Sequence, residues 1–195
     1  MTATEGPGSD QSDAAGGAVG AADLEAMAAQ LGRPMRDVVA VAHRCPCGLP
    51  DVVATAPRLA DGTPFPTTFY LTCPRAASAI GTLESSGLMR RMTERLAEDA
   101  ELAAGHRVAH EDYLRRRAAI GRAVGIDEVP EIAQVSAGGM PDRVKCLHVL
   151  VAHALVAGPG VTPLGDETTA LLAPWWQAGA CALVAPPGGP TEEAP

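Results

Sequence analysis

Aromatic side chains are scarce: two Trp, two Tyr and two Phe make up 3% of the 195 residues. The core must therefore be assembled from Ala, Val and Leu. No apolar run approaches the roughly 18 residues that cross a bilayer, which excludes membrane insertion through a spanning helix. The N-terminus has no basic segment followed by an apolar one, so a secretory signal is not expected and a cytoplasmic location is. Lysine is almost missing, Lys145 being the only one. Arginine in place of lysine, with abundant alanine, fits a GC-rich genome. A hydrophobic share of 47% against 19% charged residues excludes a wholly disordered chain.

The net charge of −8 is unevenly spread. Glu5, Asp10 and Asp13 face no base in the first 22 residues, and Glu192 and Glu193 close the chain. Residues 75–123 hold nine arginines against seven acids, a surplus of two that is interleaved with carboxylates. That pattern is a solvated helix face rather than a nucleic-acid stripe, so no nucleic-acid partner is expected.

Two tails are expected to be disordered, 1–20 and 186–195, flanking a single globular domain over 23–176. Asp23 is placed to cap a helix over 24–31 that ends at Gly32. Strand-like segments follow at 37–42, 51–56 and 65–72, the last two joined by a turn containing Asp61-Gly62. Helical patterns over 76–86, 88–104 and 106–124 are separated by Gly87 and Gly105. A connector ends in Gly138-Gly139-Met140, and Pro141 opens a helix running to 157. Asp166 caps a short last helix to 172, before Trp175-Trp176. The expected fold class is α+β: a small antiparallel sheet with a hairpin, packed against a mostly helical C-terminal part.

Five cysteines occur without a secretory signal, which argues against a disulfide framework. If Asp61-Gly62 centres the hairpin, positions whose numbers add to 123 face one another, and Cys73 lies opposite Pro50. Cys45 and Cys47 then sit past the open end of the same hairpin. Pro46 stiffens their turn and Gly48 frees the backbone after it. Three thiols thus converge within about 10 Å, given strands about 4.8 Å apart.

A fourth donor is expected from the helix 141–157. At about 100° per residue, Cys146 and His153 share a face with Val149 and Leu150, while His148 falls near Val144 and Leu155. The expected metal ligands are Cys45, Cys47, Cys73 and Cys146. His148, His153 and Asp166 are alternate ligands or groups that support them. Four thiolates suit a tetrahedral zinc ion or an iron–sulfur cluster. Reduced reactive or redox thiols, and inert structural thiols, remain open readings. Cys181, in an apolar run, is expected to be a small core residue.

Four segments carry a resemblance: Cys45-Pro46-Cys47-Gly48-Leu49-Pro50, Phe69-Tyr70-Leu71-Thr72-Cys73-Pro74, 139–148 and Gly158-Pro159-Gly160-Val161. Over roughly 35–175 the chain resembles the bacterial domain-of-unknown-function family numbered 501. The resemblance implies a high-GC Gram-positive source. It also implies a gene beside those for a septum-formation coiled-coil protein, enolase and an exopolyphosphatase-like enzyme. It supplies a setting and no activity. A non-enzymatic interaction protein with a partner in the division or envelope machinery is the second functional expectation; Trp175-Trp176 is expected to line a core groove, and a contact surface for such a partner is the alternative reading of the pair.

Arg143 and Lys145, after Gly138-Gly139, are a candidate anion locus, though a flexible turn with ordinary surface charges is the preferred reading. The phosphate-loop string is absent. His106 and His110 are four apart, but no metalloprotease string follows, so a polar helix face is expected. Ser85, Ser86 and Ser136 lack the context of a nucleophile elbow.

Overall fold

Every residue of the strand Pro50–Thr55 is buried, and the other elements are arranged to cover it. The computed structural model describes residues 19–179 and 181–182. Its elements are α1 (Ala21–Leu31), β1 (Val38–Arg44), β2 (Pro50–Thr55), β3 (Phe69–Leu71), α2 (Pro74–Ser85), α3 (Leu88–Glu98), α4 (Ala100–Ala123), α5 (Leu147–Ala157) and α6 (Pro163–Leu171). Short 3₁₀ turns occupy Pro130–Ile132 and Trp175–Ala178. The fold is α+β, with one antiparallel sheet in the order β1-β2-β3. The tails expected at 1–20 and 186–195 lie outside the described residues, apart from Val19 and Gly20.

The pairing of β2 with β3 sets Val52 opposite Leu71, Val53 opposite Tyr70 and Ala54 opposite Phe69, the register expected from the Asp61-Gly62 turn. β3 is shorter than the segment 65–72 because Pro64 and Pro66 have no N–H to give a ladder. Nearer the turn the register slips by one, and Arg58 faces Pro64. β1 pairs with β2 through several irregularities and ends at the bend that holds Cys45 and Cys47.

α5 is apolar on nearly all sides and buries Leu147, Val149, Leu150, Val151, Ala152, His153 and Ala154. Such a helix must be central, and it packs on all three strands and on α2 and α6. It begins at Leu147 rather than Pro141, and Cys146 is its extended N-cap residue. The reason is the loop before it. Lys145 N donates to Gly138 O at 2.7 Å and Arg143 N to Gly139 O at 3.2 Å, closing turns that compete with helix. Gly139 has φ +96°, and a Cβ there would stand 2.7 Å from Arg143 O. Cys146 therefore does not share a helical face with His153.

Three further boundaries differ from expectation. The break between α3 and α4 falls at Asp99, whose carboxylate accepts from Leu102 N at 2.9 Å. Gly105 lies inside α4, where the Pro163 ring would stand 2.9 Å from an added Cβ. Asp23 sits in the first turn of α1 and pairs with Arg44 instead of capping it. Asp166 likewise lies within α6 and accepts from Gly160 N at 2.8 Å, closing the turn before the helix.

Candidate metal centre

The thiols of Cys45, Cys47 and Cys181 lie within 4.8 Å of one another. Cys45 follows β1 directly. Its N–H donates to Leu49 O at 3.0 Å, and Gly48 N donates back to Cys45 O at 2.8 Å. This closed bend, with Gly48 at φ +88°, directs two sulfurs to one spot. Cys181 arrives from the far end of the described chain, after the Trp175–Ala178 turn has packed on α2. The Cys45 and Cys181 sulfurs are 3.7 Å apart, and both residues are buried, while Cys47 is exposed.

Cys73, the buried N-cap residue of α2, belongs to the same neighbourhood. It stands outside the tight group of three, but its thiol interacts with that of Cys181. Burial pushes the Cys181 thiol up, and the neighbouring sulfurs of Cys73, Cys47 and Cys45 push it further. Burial also raises Cys45. Cys47 goes the other way. Burial would raise it, but the Leu49 backbone and the Cys45 and Cys181 thiols hydrogen-bond to it and lower it overall. Several sulfurs this close cannot all ionise unless a cation lies among them.

Cys146, the expected fourth ligand, is grouped elsewhere, with Glu84 of α2 and His148 of α5. Its Sγ is 3.9 Å from His148 Nδ1, and that nitrogen is 3.2 Å from Glu84 Oε1. The Cys146 hydrogen bond is the main reason that His148 is raised to about 9; burial opposes it and Glu84 assists. Sequence reasoning passed over Glu84, which looks like one more acid on an amphipathic helix.

The other expected groups also have defined places. His153 is fully buried on α5, donates from Nε2 to Asp112 Oδ2 at 2.8 Å and stacks on Phe69. No sulfur is among its partners, and its role is to fill the core. Asp166 is engaged with Gly160 and not with a histidine. Arg143 and Lys145 are exposed on the loop before α5. His106 and His110 do not form a polar outer face. His106 is buried and donates to Arg143 O at 3.5 Å, and His110 pairs with Ser136 Oγ at 2.9 Å. Both hold the 136–143 loop against α4. Trp175 is buried, and Trp176 packs on the core beside it, edge to face at 4.8 Å.

Cys181 is a buried core residue, as expected, but its meeting with Cys45 and Cys47 is what sequence reasoning missed. Its surroundings, Ala180-Cys181-Ala182-Leu183, contain no turn residue or second donor to mark it, and only the count of five cysteines hinted at a spare thiol.

These features define an α+β protein whose sheet edge and C-terminal segment bring cysteines together. Residues 41–170 match the family model described as a protein of unknown function, DUF501, and the chain belongs to that family. No curated protein matches the chain. No solved structure matches it either. No helix among the described residues is long and apolar enough to cross a membrane.

Proposed function

We propose that Cys45, Cys47, Cys73 and Cys181 hold a single zinc ion in a closed, structural centre. The observation that carries this reading is the spacing of the sulfurs. A tetrahedral ion with zinc–sulfur bonds of about 2.3 Å has sulfur–sulfur edges of about 3.8 Å, and Cys45 and Cys181 are 3.7 Å apart. An iron–sulfur cluster brings at most two of its cysteine sulfurs, those on one iron, this close together, so three thiols within 4.8 Å of one another favour a single ion. Binding draws Cys73 in as the fourth thiolate.

The centre would join three parts of the fold: the β1–β2 bend, the start of α2 and the segment after the Trp175–Ala178 turn. Four protein sulfurs leave no open position, which suits stability rather than chemistry. The interaction-protein reading loses its aromatic surface, because Trp175 is buried and Trp176 packs on the core.

Metal analysis of protein purified under nitrogen, beside a Cys47→Ser variant, tests the reading. One tightly held zinc in the wild type, lost or weakened in the variant, supports it. A brown product with iron and sulfide would replace zinc by a cluster. A folded wild type that holds no metal at this centre, with Cys45 and Cys181 joined as a disulfide, would replace the metal by redox-active thiols.

A further inference from the structure

Where the last turns of α2 meet the start of α5, three electron-pair donors face one another. His148 Nδ1 lies 3.2 Å from Glu84 Oε1 and 3.9 Å from Cys146 Sγ, and all three ligand atoms are within 4.8 Å of one another. The other ring nitrogen, Nε2, donates to Ala77 O at 3.1 Å. That bond places a proton on Nε2 and turns the Nδ1 edge of the ring toward a carboxylate and a sulfur. Such a trio is stable only around something positive, either a proton or a metal ion.

The dimensions suit a metal ion. A tetrahedral zinc site has edges of about 3.3 Å between nitrogen and oxygen and about 3.5 Å between nitrogen and sulfur. A histidine that ligates a metal usually donates its other N–H to a carbonyl or carboxylate, as His148 does to Ala77. Glu84 is held in turn, because Oε1 accepts from Leu147 N at 2.7 Å. Ala77 and Glu84 are two helical turns apart on α2, so one helix supplies both a ligand and the group that orients another.

We propose that Glu84, Cys146 and His148 form a second metal site, distinct from the four-cysteine centre, for a divalent ion of the zinc class. One sulfur, one nitrogen and one oxygen favour zinc or cobalt over magnesium or calcium. The site is partly open: the His148 and Glu84 side chains are 31% and 24% exposed. Three protein ligands leave a fourth position for water or a substrate atom, the arrangement of catalytic rather than structural zinc.

Cobalt titration of the full chain, stripped of metal by a chelator and kept under nitrogen, reads both sites at once. The wild type should bind two equivalents, one with the intense sulfur-to-cobalt absorption of several thiolates and one with that of a single thiolate. Cys146→Ser should remove the second equivalent and leave the first spectrum unchanged. Glu84→Gln, which keeps the shape of the side chain, should weaken the second equivalent by more than about 100-fold, since even outer partners of a metal cost 10- to 100-fold. A Cys45→Ser/Cys47→Ser chain should keep the single-thiolate equivalent, which separates failure of this site from failure of the four-cysteine centre. An unchanged second equivalent in Cys146→Ser, or a wild type without any single-thiolate equivalent, would overturn the proposal.

Discussion

Asp112 shows how much one buried side chain organises. It is 3% exposed on α4 and takes hydrogen bonds from His153, Arg115 and Arg116. Burial alone would raise its pKa, but the His153 hydrogen bond and the Arg116 guanidinium outweigh it and hold the carboxyl at about 2. A carboxylate whose folded value lies below its unfolded value of about 3.9 contributes stability in full above that value. The contribution is lost as pH falls from about 4 to about 2. Asp112→Ala should therefore lower the unfolding free energy at pH 7 by about 3 kcal/mol, because it leaves His153 buried and unpaired. In urea unfolding measured across pH 2–5, the variant should lack the wild type's loss of stability from this group. Tyr113 offers a simpler case. Its hydroxyl accepts from Thr68 N at 2.7 Å, beside the edge of β3. Tyr113→Phe should cost about 1–2 kcal/mol in the same assay.

At the scale of elements, α5 and α6 approach so closely that no side chain fits between them at one point. A Cβ on Gly165 would stand 2.5 Å from Leu150 O and 2.6 Å from Thr162 Oγ1. Gly165→Ala should force the helices apart and lower the melting temperature, with a loss of about 1–3 kcal/mol that outweighs alanine's better helix propensity. Asp99→Ala, which removes the cap of α4, should cost about 1 kcal/mol. The elements most legible in the sequence were those with local causes. Asp61-Gly62 set the β2–β3 register, and the apolar run 147–157 announced a central helix. Boundaries set by tertiary partners were not legible. Gly105 looks like a helix end until Pro163 is seen against it, and 141–146 looks helical until its hydrogen bonds to Gly138 and Gly139 are seen. The second misreading carried into the site, because it put Cys146 on a helix face it does not occupy.

On the scale of the whole molecule, the bend at Cys45 and Cys47 was readable because its donors are adjacent, stiffened by Pro46 and released by Gly48. Cys181 was not, since its meeting with Cys45 depends on the Trp175–Ala178 turn docking on α2, which no local pattern encodes. If zinc ties these parts together, its removal should act globally. A chelator added to the purified protein should lower the melting temperature by several degrees, and zinc should restore it. Cys181→Ala should reproduce the chelated protein's melting temperature and no longer respond to zinc. A drop of the same size on chelating the Cys181→Ala chain would mean that the stabilising ion sits elsewhere.

Cys45 and Cys181 are 136 positions apart, yet their sulfurs touch. During synthesis, which proceeds from the N-terminus, Cys45, Cys47 and Cys73 wait for a fourth thiol until residue 181 is made. If zinc binds here, the last donor to emerge completes the set, so loading would register that translation has run through residue 181. A ribosome product cut short after α6 would contain every strand and α-helix described above and still lack the thiol that would fasten the C-terminal segment to the β1–β2 bend.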